Sequence, residues 1–157
     1  MELMIFGAHR KEFHSLLSPV FSADILSCGT GKHHTDAILV IAPTAVHPAI
    51  LAVSGPSETL ARRYPNACLV TCGMSPRDSV SCSSVADGRA VLSIVRELPV
   101  IGGGFVDVQD ICLPLTIPLP AGQIALLAAA CLCAGISPER LAQKSVPDAS
   151  IFPHRTI

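Results

Sequence analysis

The reading of this chain turns on residues 26–43, LSCGTGKHHTDAILVIAP, in which two apolar runs flank a glycine turn carrying Lys32. A phosphate-gripping loop follows the pattern G-x-x-x-x-G-K-[ST]. Its glycine turn exposes backbone N–H groups, its lysine reaches the outer phosphates and its hydroxyl holds magnesium. Here Leu26 stands where the first glycine should be, and His33 replaces the hydroxyl residue. Thr35-Asp36 then leads into an apolar strand over 37–42, so no helix N-terminus is presented to an anion. The stretch reads as a glycine-rich turn between two buried strands. That turn is too short for a helical crossover, which leaves open an antiparallel direction for the strand at 37–42.

Outward from this turn, ELMIFG at 2–7 is a short apolar run stopped by glycine, and HRKEFHSLLSPV places Phe13, Leu16, Leu17 and Val20 at helical spacing. Residues 47–65, HPAILAVSGPSETLARRYP, read as a helical stretch interrupted near Ser54-Gly55-Pro56, where a new helix can start. NACLVTCG is a further buried strand. Alternating strands and helices predict an α/β fold with a mostly parallel N-terminal sheet over 1–77. From Asp78 the pattern changes to antiparallel strands over 78–118. Ala86-Asp87-Gly88 signals a hairpin, and Ile101 with Gly102, Gly103 and Gly104 signals a second turn. An alanine-rich C-terminal helix and a short helix capped by Ser137 occupy 119–145. With no repeat and no linker, the expectation is a single domain over 1–157 whose parallel and antiparallel parts share one core.

Composition narrows the function classes. Half of the 157 residues are apolar, 15% are charged and the net charge is -1, so there is no basic field for nucleic acid or an anionic membrane. Seven cysteines, an odd number, and a start without a basic, long apolar leader fit a reducing cytoplasm. The uncharged run 111–138 is broken by Pro114, Pro118 and Pro120. The piece that remains is shorter than the roughly 20 residues a membrane span needs, and it reads as a buried helix.

In open sheets, ligands collect outside the carboxyl ends of the strands. That rule selects His9 and Arg10 after the first strand, Lys32 and His34 after the second, His47 after the third, and Ser75, Arg77 and Asp78 after the fourth. If the strand at 37–42 is antiparallel, the 44–47 exit moves to the opposite edge. Arg77-Asp78 reads equally as a surface ion pair or a turn. His33-His34 has no accompanying Cys-x-x-Cys or His-x-x-x-His, so neither a metal nor a cofactor is expected. An enzyme using His9 or His47 as acid or base, with Arg10 or Arg77 on an anion, is a second reading. No Ser-His-Asp or paired-carboxylate signature supports it, and the balance leans against an enzyme.

Over 66–141 the chain resembles the later part of the central domain of Mur ligases and folylpolyglutamate synthetases. The resemblance is carried by Val70-Thr71-Cys72-Gly73, by the strands between 79 and 115, and by Leu119-Pro120. It continues through Leu127-Ala128-Ala129, Gly135-Ile136 and Glu139-Arg140-Leu141. The departures are specific: the family's ATP loop survives only as Gly29-Thr30-Gly31-Lys32-His33, and its His-Asn pair before the alanine-rich helix is replaced by Ala121-Gly122. The family's C-terminal amino-acid-binding domain has no counterpart in these residues. The resemblance implies a shortened relative that keeps the scaffold without ligase activity. Its partner would be a small molecule such as a nucleotide or UDP-sugar, or a protein; a third reading is a structural or assembly protein that pairs with a second copy through the apolar face around Ala125 to Ala134.

Overall fold

The two apolar runs around the glycine turn join one sheet, but not as neighbours. The computed structural model describes residues 1–44, 48–55 and 57–143. Glu2–Phe6 forms β1 and Leu26–Cys28 forms β2, connected by helix α1 (Arg10–Leu17) and paired in parallel. Asp36–Ile41 forms β3, which returns antiparallel on the other side of β1, with Phe6 opposite Ala37. The turn therefore crosses the end of β1 and reverses the chain, which settles the direction left open by the sequence.

The helix expected across 47–65 is a strand followed by a shorter helix: Ile50–Ser54 is β4 and Glu58–Arg63 is α2, with Ser57 at the N-cap position. A run as short as AILAV shows no period that separates strand from helix. Its β-branched Ile50 and Val53 favour the pleated state, and pairing on both edges satisfies its backbone. β4 lies antiparallel to β3 and parallel to β5 (Cys68–Gly73).

In the second half, β6 (Val80–Ala86) and β7 (Arg89–Ile94) form the expected hairpin. Asp87 and Gly88 have φ of 51° and 69°, the left-handed pair that a two-residue turn needs to match strand twist. The glycine triplet closes a separate small hairpin between β8 (Leu98–Pro99) and β9 (Phe105–Val106). β10 (Gln109–Pro114) then pairs with β7. The eight-stranded order is β10-β7-β6-β5-β4-β3-β1-β2. The fold is α/β, but the sheet is mixed. Connections through α1 and α2 give parallel pairs, and the short direct connections on either side of β3 give antiparallel ones.

Helix α3 (Ala121–Cys133) lies on β4, β5 and β6, with every residue from Ile124 to Cys133 buried. It ends in a glycine motif in which Gly135, at φ 103°, donates its N–H to the Leu132 carbonyl and Ile136 donates to Cys131. Helix α4 (Pro138–Gln143) follows and packs on β10, its first turn held by the Arg140 N–H donating to Ser137 Oγ at 3.3 Å. One apolar cluster extends from Leu3 to Leu141 beneath α1, α3 and α4. A smaller one on the opposite face joins Phe6, Ala37, Leu39, Leu51 and Val53 to Leu60 of α2. Among the described residues no helix is long and apolar enough to cross a membrane.

Cys72, Cys82, Cys131 and Cys133 are buried, while Cys28, Cys68 and Cys112 are exposed. Burial pushes the Cys131 and Cys133 thiols up to about 12. They stay protonated and act as small apolar side chains.

Candidate functional site

With these directions, the carboxyl ends of β1, β2, β4 and β5 and the first residue of β3 share one edge of the sheet. Thr44, beyond β3, is carried to the opposite edge, and His47 lies outside the described residues. His9, Arg10, Lys32, His34, Ser75, Arg77 and Asp78 all stand on connections at the shared edge, in two separate groups.

The first group is organised by Asp36, which sequence reasoning did not single out. Its Oδ2 lies 2.7 Å from His9 Nδ1, and its Oδ1 accepts the His9 backbone N–H at 3.1 Å. The two residues are 27 apart in the chain. They meet only because β3 runs antiparallel to β1, so that the first residue of one strand stands beside the last of the other. A lone acid opening an otherwise apolar strand was the available signal, but it needed that strand's direction to be read. Gly7 makes the approach possible. At φ 108° it occupies a region that side chains disfavour, and a Cβ there would lie 2.6 Å from the Asp36 Cα. Arg10 Nη1 donates to the Gly7 carbonyl at 3.1 Å, holding the guanidinium beside the same turn. His9 is pushed above the ordinary histidine value, first by its hydrogen bond with Asp36 and then by that carboxylate's charge, with a smaller contribution from Glu12.

Alongside lies the glycine turn between β2 and β3. The Phe6 ring fills the space over Gly29, meets the His33 ring edge-on at 5.4 Å, and is flanked by Tyr64 and the Arg63 guanidinium. Arg63 also donates to the Thr30 carbonyl at 3.4 Å. Phe6 thus closes the turn at Gly29 and His33, while Thr30, Gly31, Lys32 and His34 are exposed. Between it and the start of α2 is a cavity of about 310 Å³ lined by Lys32, His33, His34, Thr35 and residues 57–60. His33 Nε2 is buried there without a hydrogen-bond partner. A buried polar atom left unsatisfied asks for a ligand or an ordered water.

The second group is a self-contained turn. Asp78 Oδ2 accepts the Ser75 N–H at 3.0 Å, Ser75 Oγ accepts the Arg77 N–H at 3.2 Å, and the Asp78 N–H returns to the Ser75 carbonyl. The Asp78 carboxylate is engaged in shaping the chain between β5 and β6, and Gly73 leaves it room. Among the described residues, no group of three or more His, Cys, Asp or Glu side chains could hold a metal ion.

No family model, no curated protein and no solved structure matches the chain.

Proposed function

We propose that this chain is a cytoplasmic relative of the Mur ligase central domain that has no ligase activity and binds a small anionic molecule, a nucleotide or UDP-sugar, at its strand exits. The observation that carries this reading is the cavity between 32–35 and 57–60, where Lys32 and two histidines converge and His33 Nε2 is buried and unsatisfied. Small-molecule sites span about 300 to 1,000 Å³, so this one accommodates one part of a nucleotide, with the remainder extending along the edge. The Mur-like part of the reading rests on the order of elements after β5: a hairpin, Leu119-Pro120 just before α3, Leu127-Ala128-Ala129 within it, and Glu139-Arg140-Leu141 in α4. The degenerate loop, filled by Phe6 over Gly29, argues against ATP-driven ligation.

A thermal-shift titration with UDP, a UDP-amino sugar and Mg-ATP tests the reading. Stabilisation of about 2 to 3 kcal/mol is expected at a hundredfold excess over the dissociation constant, and Lys32→Ala should weaken it. If none of these compounds moves the transition, the cavity does not bind them and the reading fails.

A further inference from the structure

We propose that His9 and Asp36 form an acid–base pair that moves a proton at His9 Nε2, acting on an activated carboxylic ester whose acyl part carries an anionic group. The pair lies at the exit of β1, outside the residues lining the Lys32 cavity, and does not depend on what that cavity holds.

Three features distinguish this pair from a surface ion pair. Asp36 grips both the ring Nδ1 and the backbone N–H of one residue, so the imidazole is fixed in orientation as well as attracted. The acid is recessed and the base presented, with side-chain exposures of 14% and 49%. The turn is also built around the carboxylate: Gly7 has the left-handed backbone, and the space its Cβ would need is filled by Asp36. A carboxylate on Nδ1 selects the neutral tautomer with its lone pair on Nε2, which is the atom a general base uses. The His9 ring bonds to Asp36 while half of its side chain is exposed, and the proposed nucleophile is water. A base working without a bound nucleophile reaches substrates with good leaving groups, which means activated esters ahead of amides. Arg10 stands next in the chain with its guanidinium anchored by one donor, leaving others for a carboxylate on the substrate.

The step balances as hydrolysis. Neutral Nε2 takes a proton from water as the water oxygen adds to the ester carbonyl. The tetrahedral intermediate then breaks its bond to the alcohol oxygen, which leaves with the proton from Nε2–H. Ester and water become acid and alcohol, and His9 returns to its neutral form. Asp36 remains ionised throughout.

The test uses 4-nitrophenyl acetate and 4-nitrophenyl hydrogen succinate as probes, with release of nitrophenol followed against pH. The expected result is hydrolysis above buffer that rises with pH through the His9 titration, is lost in His9→Gln, and falls about a hundredfold in Asp36→Asn. Arg10→Gln should slow the succinate ester more than the acetate, and His14→Gln should change neither. The proposal is overturned if His9→Gln, melting as the parent protein does, hydrolyses both esters at the parent rate. If the variants do not fold, nitrogen NMR of the parent protein decides: neutral His9 protonated at Nδ1 supports the pair, and protonation at Nε2 overturns it.

Discussion

The two halves of the sheet bury their strands in different ways. β3 and β4 are covered on both faces, by α3 on one side and by the Phe6–Leu60 cluster under α2 on the other, and almost every residue along them is buried. Among the described residues, β7 and β10 are covered on one face only, and their burial alternates residue by residue. Ser93, Asp110 and Cys112 point to the uncovered side, where Ser93 Oγ donates to Asp110 Oδ1 at 2.7 Å. A strand sandwiched on both sides is written as a continuous apolar run, whereas one wetted on one side is written with period two. The same sheet thus uses two sequence codes, and sites at its edge depend on the half in which direction is hardest to read.

The largest effect should come from placing a hydroxyl in matched positions of the two halves. Leu51→Ser in β4 removes a side chain that is 1% exposed and leaves a polar atom beneath α2. A loss of about 3 to 5 kcal/mol is expected in chemical denaturation. Cys112→Ser in β10 changes an exposed position and should stay within about 0.5 kcal/mol. Equal losses would mean that the outer face of β10 is covered, and the distinction between the halves would collapse.

Next in size is a pair of glycines with almost the same backbone. Gly7 and Gly135 have φ of 108° and 103°. A Cβ at Gly135 meets only Val100 Cγ1, at an ordinary 3.9 Å, while one at Gly7 runs into Asp36 and the Thr35 carbonyl. Gly135→Ala should therefore cost the left-handed strain alone, about 1 to 2 kcal/mol, and Gly7→Ala about 1 kcal/mol or more beyond that. Gly7→Ala should also displace the His9 ring resonances, because Asp36 must move. Equal costs would show that the turn tolerates the carboxylate elsewhere. Smaller still is Ser137→Ala in the second half. It removes the acceptor of the Arg140 N–H at the start of α4 and should lower stability by about 0.5 to 1 kcal/mol in the same denaturation measurement.

The two codes also explain what the sequence disclosed. The second half was legible in its hairpin, its Asp87-Gly88 turn and its capped short helix, but the alternating run 105–114 divides between β9 and β10, and β6 pairs in parallel with β5. The buried helix α3 was legible because its uncharged run is bounded by proline and glycine. In the first half, a strand buried on both faces and a helix buried all round look alike over five residues, and residues 50–54 were read as helix for that reason. The candidate site follows the same division. His9 and Arg10 follow from the rule that sites gather at strand ends. Asp36 does not, because it belongs to the start of a strand and reaches that edge only when β3 is reversed.

The smallest expected effect draws the same boundary by pH. The described histidines, His9, His14, His33 and His34, all lie in the first half, and residues 66–143 contain none. His9 is raised above about 6.5 by Asp36, and to a lesser degree by Glu12, so the folded state binds its proton more tightly than the unfolded chain does. The stabilisation is therefore fully present below the ordinary histidine value and is lost as pH rises through the raised one. Because half of the His9 side chain is in water, the effect is modest and should shrink further with added salt. Amide exchange, corrected for its intrinsic pH dependence, should report it as weaker protection at the end of β1 and the start of β3 above that window. No matching change is expected in β6, β7 or β10, and Asp36→Asn should flatten the response in the first half. A uniform change across both halves would locate the titrating group elsewhere, and an unchanged profile in Asp36→Asn would separate the pH response from this carboxylate.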